Sequence, residues 1–138
     1  MRTEPPPELD ALARQVLDAA FRVHRQLGPG LLESVYETCL AYELTTMGLR
    51  VQRQLIVPIL YRDVTLDAGL RIDLLVEDLL IIENKAVEKL IPLFEAQLLT
   101  YLRLTRRQLG LLINYNVPLL KDGIKRVINS MEPRAQQT

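Results

Sequence analysis

The sequence predicts one mixed α/β domain, on three observations. Two apolar stripes at three- and four-residue spacing fill its first third, short runs rich in branched residues follow, and a leucine-rich helical pattern then leads into a continuous apolar run. The expected order is α-α-β-β-β-α-β, built around a mixed sheet of about four strands flanked by helices. With 138 residues, 49% of them hydrophobic, the chain can bury a real core without disulfides or a structural metal. The domain is expected over residues 8–131, with flexible segments at 1–7 and 132–138.

Each element has its own signal. Pro5, Pro6 and Pro7 disfavour helix before them, and Glu8 and Asp10 place negative charge where a first turn can use it. From Leu9 the stripe Leu12, Ala13, Val16, Leu17, Ala20, Val23 and Leu27 predicts an amphipathic helix ending at Gly28-Pro29-Gly30, with His24 on the same stripe. A second helix is predicted from about Leu31 to Met47, stopped by Gly48. Val51 to Leu60, Val64 to Leu66, Arg71 to Val76 and Leu79 to Lys85 read as β structure, with turns at Arg62-Asp63 and Glu77-Asp78, giving three consecutive antiparallel strands. Pro92 opens a third helix whose leucines predict extensive burial. Leu109 to Tyr115 suits a central strand covered on both faces, and Gly123 to Asn129 fits either a helical turn or a short strand.

Composition narrows the function. Lys plus Arg and Asp plus Glu both number 17, so the formal net charge is zero and a domain basic overall is excluded. A single Cys39 and a single His24 exclude a disulfide scaffold and a zinc ribbon. No stretch approaches the roughly 18 apolar residues of a spanning helix, and the acidic, proline-rich start lacks the apolar core of a signal peptide. A soluble cytoplasmic protein with no membrane association is expected.

Chemistry concentrates between Arg71 and Lys85. Strand alternation puts Glu83 and Lys85 on one face with Asn84 opposite, and antiparallel pairing brings Asp73 close to Glu83. Two close acids repel each other, so such a site calls for a cation. Oxygen donors without a Cys or His cluster favour a hard ion, Mg²⁺ or Mn²⁺, which lowers the pKa of bound water and neutralises charge on a phosphoryl oxygen. Lys85 can position that water or offset negative charge. The same trio also fits a solvated ion pair contributing about 0–1 kcal/mol. Gln97 and Tyr101, four apart, share one face of the third helix.

Gly30, Glu33 and Tyr36 match the signature of the GxxExxY proteins. Asp73 followed by Glu83-Asn84-Lys85 resembles the core of the PD-(D/E)xK nuclease superfamily, to which that family is assigned, although Ile72 stands where the name expects proline. Gln97 to Tyr101 is similar to the QxxxY motif of its RecB-like branch. The resemblance runs from about His24 to Arg126. It implies a restriction-endonuclease-like core, with Glu33, Asp73 and Glu83 as metal ligands, Lys85 as the catalytic lysine, and Gln97 and Tyr101 orienting the phosphate or the lysine. It also makes His24 a candidate metal ligand, whereas a lone His on an apolar stripe is more often a satisfied core residue. Gly30 and Tyr36 also fit a purely structural part at the helix junction.

The leading expectation is a Mg²⁺- or Mn²⁺-dependent nuclease-like enzyme hydrolysing DNA phosphodiester bonds by metal-activated water. The alternative is a catalytically inactive module of the same fold that binds nucleic acid or a protein partner, and a homodimer fits either. Arg103, Arg106, Arg107, Lys121, Lys125 and Arg126 are the candidate DNA contacts, or else ordinary solvated charges.

Overall fold

A computed structural model describes residues 4–130. The tail expected at 132–138 and the first three residues lie outside them. Helix α1 (Pro7–Leu27) starts on Pro7, where the missing N–H costs nothing, and carries Glu8 and Asp10 in its first turn and His24 and Arg25 in its last. Its stripe buries Leu9, Leu12, Val16 and Val23.

Helix α2 (Glu33–Thr46) starts later than the periodicity suggests. The chain turns first through Gly30 at φ +101°, a conformation that disfavours any Cβ. Tyr36 then ties the junction down: its hydroxyl donates to the Gly28 carbonyl at 2.6 Å and accepts the Leu31 N–H at 3.1 Å. Its ring is fully buried and stacks on Tyr115, with centroids 4.5 Å apart. The helix closes as the Leu49 N–H reaches the Leu44 carbonyl and the Gly48 N–H reaches that of Thr45, with Gly48 at φ +87°.

The sheet has five strands, in order β1 (Val51–Tyr61), β2 (Val64–Val76), β3 (Leu80–Lys85), β4 (Leu109–Asn114) and β5 (Ile124–Ile128). The first three form the expected antiparallel meander, β4 pairs parallel to β3, and β5 pairs antiparallel to β4. The parallel step requires a crossover, and helix α3 (Pro92–Thr105) makes it. All six residues of β4 are buried, as its unbroken apolar run predicts.

Two expectations are corrected and one open alternative is decided. Of the two readings of the final segment the strand holds: β5 follows a 3-10 turn at Leu120–Gly123, so the sheet has five strands where about four were expected. Val64–Leu66 and Arg71–Val76 are one strand. The register slips between Val57 and Ile59, so that residue 58 of β1 faces residues 67–69 of β2, and Pro58, lacking an N–H, cannot hold a regular ladder there. Helix α3 is not extensively buried: only Leu98 and Leu102 are, while Leu93 is 56% and Leu104 49% exposed. It meets the sheet mainly through the i, i+4 pair Leu98 and Leu102, with Phe94, Leu99 and Tyr101 partly buried beside them, so Leu93 and Leu104 are left facing away from the core.

Two apolar layers result. Helices α1 and α2 pack on one face of the sheet with Leu74, Val76, Leu80, Ile82, Leu111, Ile113 and Tyr115. Helix α3 packs on the other with Ile72, Leu75, Ile81, Leu112 and Val127. Ile72 and Leu75 are three apart yet share that side, which strict alternation forbids, so β2 is irregular around Asp73. No helix among the described residues is long and apolar enough to cross a membrane.

Candidate active site where β2 leaves β3

The β2–β3 ladder runs through Val76–Leu80, Leu75–Ile81 and Leu74–Ile82, and there it stops. The next residues in register are Asp73 and Glu83. Their side chains take over the backbone groups that the parting strands release. The Asp73 N–H donates to Glu83 Oε2 at 3.1 Å, and the Asn84 N–H donates to Asp73 Oδ2 at 2.8 Å. Each acid is thus held by the opposite strand, in a gap where an unpaired N–H would otherwise be left unsatisfied.

The electrostatics are those of a site short of positive charge. Burial, followed by the charges of Glu37 and Glu33, raises Asp73 to about 6 against the Asn84 hydrogen bond that lowers it. Burial, then the Asp73 charge, raises Glu83 further, to about 8, with Lys85 acting in the lowering direction. Burial and the charges of Glu83 and Asp73 also raise Tyr101, so its hydroxyl stays protonated.

The structure gathers most of the predicted residues here. Lys85 projects on the Glu83 side, as alternation requires, and its Nζ lies 4.3 Å from the centroid of the Phe94 ring on α3, a cation–π contact that fixes the ammonium. Glu33, exposed on the first turn of α2, acts on both acids through its charge. Gln97 is exposed one turn before Tyr101.

His24 has one ring nitrogen engaged. Its Nε2 lies 2.8 Å from the Val117 carbonyl oxygen, which can only accept, so this nitrogen carries the proton and Nδ1 keeps the lone pair. The basic residues also disperse. Arg107 binds Asp78 at 2.7 Å beside the hairpin, at the opposite end of β3 from Lys85. Lys125 and Arg126, adjacent on a strand and therefore on opposite faces, pair with Glu95 and Asp10. Arg103, Arg106 and Lys121 are exposed.

Three contributors are not singled out by the motifs. Glu37 on α2, 6% exposed, accepts from Arg53 Nε at 3.3 Å and from Gln54 Nε2 at 2.7 Å. Gln54 reaches on to Asp73 Oδ1 at 3.4 Å. Phe94 carries the lysine. The i, i+4 step from Glu33 to Glu37 is a signal in the sequence, since it sets both acids on one helix face.

No group of three or more His, Cys, Asp or Glu side chains among the described residues is arranged to hold a metal ion. The donor chemistry nevertheless fits a hydrated hard ion, because Mg²⁺ is commonly held by one or two carboxylates and keeps several waters. Asp73 and Glu83, mutually repelling oxygen donors with raised pKa values, are such a pair.

Searches of curated proteins and of solved structures each return no significant match. A family model described as the PD-(D/E)XK nuclease superfamily matches residues 10–127, which takes in both helical layers and every strand through Val127. Its span includes the crossing of Asp73, Glu83 and Lys85 described above, and on this match the chain belongs to the PD-(D/E)XK nuclease superfamily.

Proposed function

We propose that the protein is a divalent-metal-dependent nuclease acting on DNA phosphodiester bonds at the site where β2 leaves β3. The observation that carries this reading is the reciprocal Asp73–Glu83 arrangement, two acids held against each other by backbone hydrogen bonds with Lys85 on the same side. Asp73 and Glu83 would hold Mg²⁺ or Mn²⁺, with Glu33 contributing negative charge from α2. Such an ion, when bound, supplies Lewis acidity and lowers the pKa of water, the chemistry that superfamily members generally draw from divalent metals.

The chain's own residues do the rest. Lys85, steadied on Phe94, presents an ammonium that offsets negative charge growing on the phosphate. The protonated Tyr101 hydroxyl would be a donor to the substrate phosphate, and Gln97, one turn earlier and exposed, is available to the substrate backbone. The test is cleavage of single- and double-stranded DNA with Mg²⁺ or Mn²⁺. Activity is expected in the wild type and a loss of about 10²-fold or more in Asp73→Ala, Glu83→Ala and Lys85→Ala variants that stay folded. Metal-independent DNA binding without cleavage on any substrate would replace this reading with that of an inactive module.

A further inference from the structure

Gln54 is an anomaly in β1. Its backbone sits at φ +49°, the left-handed region, in the middle of an eleven-residue strand. On either side the ladder is regular: Arg53 pairs with Leu74 and Leu55 with Ile72. Gln54 and the residue across from it, Asp73, are the two left out. A side chain with a Cβ persists in this conformation only where its surroundings over-determine it, and such positions cluster at functional sites.

The surroundings do over-determine it. One carboxamide nitrogen serves two carboxylates, Glu37 Oε1 at 2.7 Å and Asp73 Oδ1 at 3.4 Å. The amide oxygen accepts from Arg71 Nη1 at 3.4 Å. This fixes the amide's orientation, since the flipped amide would set its oxygen against two acids and its nitrogen against a guanidinium. An NH₂ group has two hydrogens, one for each acid, so Gln54 bridges two negative charges with a neutral donor. Asp73 Oδ2 is already held by the Asn84 N–H. With Gln54 on Oδ1, both oxygens of the carboxylate are oriented from opposite sides.

We propose that Gln54 is a positioning residue, whose left-handed backbone exists to bring its amide between Glu37 and Asp73 and so to fix the carboxylate of Asp73 for a divalent ion. This rests on the nuclease-like reading of the same site. Glu37 acts with it as the buried anchor of the amide, itself held by Arg53.

The test is calorimetric titration of Mn²⁺ into the wild type, Gln54→Gly and Gln54→Met, with thermal melts of all three. Glycine removes the amide and suits the left-handed backbone, and methionine removes the donor at nearly constant length. Both variants are expected to melt within a few degrees of the wild type and to bind Mn²⁺ about 10–100-fold more weakly, the usual effect of losing a group that orients a ligand. Glu37→Gln, which leaves the amide without its charged acceptor, is expected to weaken binding by a smaller factor. Variants that fold and bind within twofold of the wild type overturn the proposal, as does collapse of both Gln54 variants, which would assign the residue to stability alone. A wild type that binds no Mn²⁺ overturns the metal reading itself and this inference with it. That failure is told apart because it appears before any substitution is made.

Discussion

The two ends of the β2–β3 hairpin carry similar residues and treat them in opposite ways. At the turn, Glu77 and Asp78 both adopt positive φ, and each acid has a basic partner. Glu77 Oε2 accepts the Arg50 backbone N–H at 2.6 Å and lies 3.6 Å from Arg50 Nε, while Asp78 pairs with Arg107 at 2.7 Å. These pairs are solvated and close a turn. Four residues from the turn along β2 and five along β3, Asp73 and Glu83 face each other half-buried, with backbone N–H groups as hydrogen-bond partners and Lys85 directed past them onto an aromatic ring. Acids at the turn are neutralised where they stand; acids at the open end are held together before any cation arrives. A protein keeps such a repulsive arrangement at the expense of stability, and active sites are where that exchange recurs.

The comparison breaks most sharply at Lys85. Lys85→Ala is expected to lower DNA cleavage by about 10²-fold or more, a loss of roughly 3 kcal/mol in transition-state stabilisation, with its thermal melt little changed. Comparable activity in the variant would reduce the open end to a second ion-pair cluster.

The next effect is on stability, and its sign is opposite at the two ends. Glu83→Gln keeps an oxygen for the Asp73 N–H and removes the repulsion, so at pH 8 without metal it should melt higher than wild type, by roughly 4 °C for each kcal/mol relieved. A lower melting temperature would mean that the carboxylates stabilise the fold as they do at the turn.

The pH dependence follows from the same shifts. Asp73 and Glu83 bind protons more tightly folded than unfolded, so their contribution to stability is fully present below pH 4 and is lost as pH rises through about 6 and then about 8. Metal-free protein should therefore lose stability between about pH 4 and 8, and the Asp73→Asn, Glu83→Gln double variant should show a flatter profile. Over the same range Mn²⁺ affinity should climb, because binding displaces those protons. Equal slopes in wild type and double variant would remove the acids from the account.

The smallest effect belongs to the turn. Asp78→Ala deletes an exposed partner of Arg107 and is expected to shift unfolding in urea by no more than about 1 kcal/mol, leaving cleavage unchanged. A loss of activity there would show that the two ends communicate.

Much of this site is legible in the sequence because it depends on short-range rules. A period of two places Glu83 and Lys85 on one face, a helical period relates Gln97 to Tyr101, and a tight turn at Glu77-Asp78 brings Asp73 alongside Glu83. The remainder turns on longer-range geometry. Phe94 becomes the lysine's support only once α3 crosses the sheet. Arg107 reads as a nucleic-acid contact because it lies in a basic cluster, but the fold sends it to the far end of β3. His24 keeps the apolar stripe its spacing predicts and spends one ring nitrogen on a carbonyl ninety-three residues away. The leucines of α3 overstate its burial because composition does not say how many layers surround a helix.

By itself the sequence determined the order of the helices and strands through β4, the burial of β4 on both faces, the glycine-dependent junction before α2, and where along the chain the acids and the lysine stand. Periodicity, turn chemistry and strand alternation are local, and they do not depend on what the rest of the chain does. Only the tertiary structure decided that β2 parts from β3 at Asp73, that Gln54 takes a left-handed conformation opposite it, and that Glu37 closes the cluster from another layer. Those features arise where backbone groups released by one ladder must be satisfied by side chains from other elements, a balance among distant parts that no spacing along the chain records.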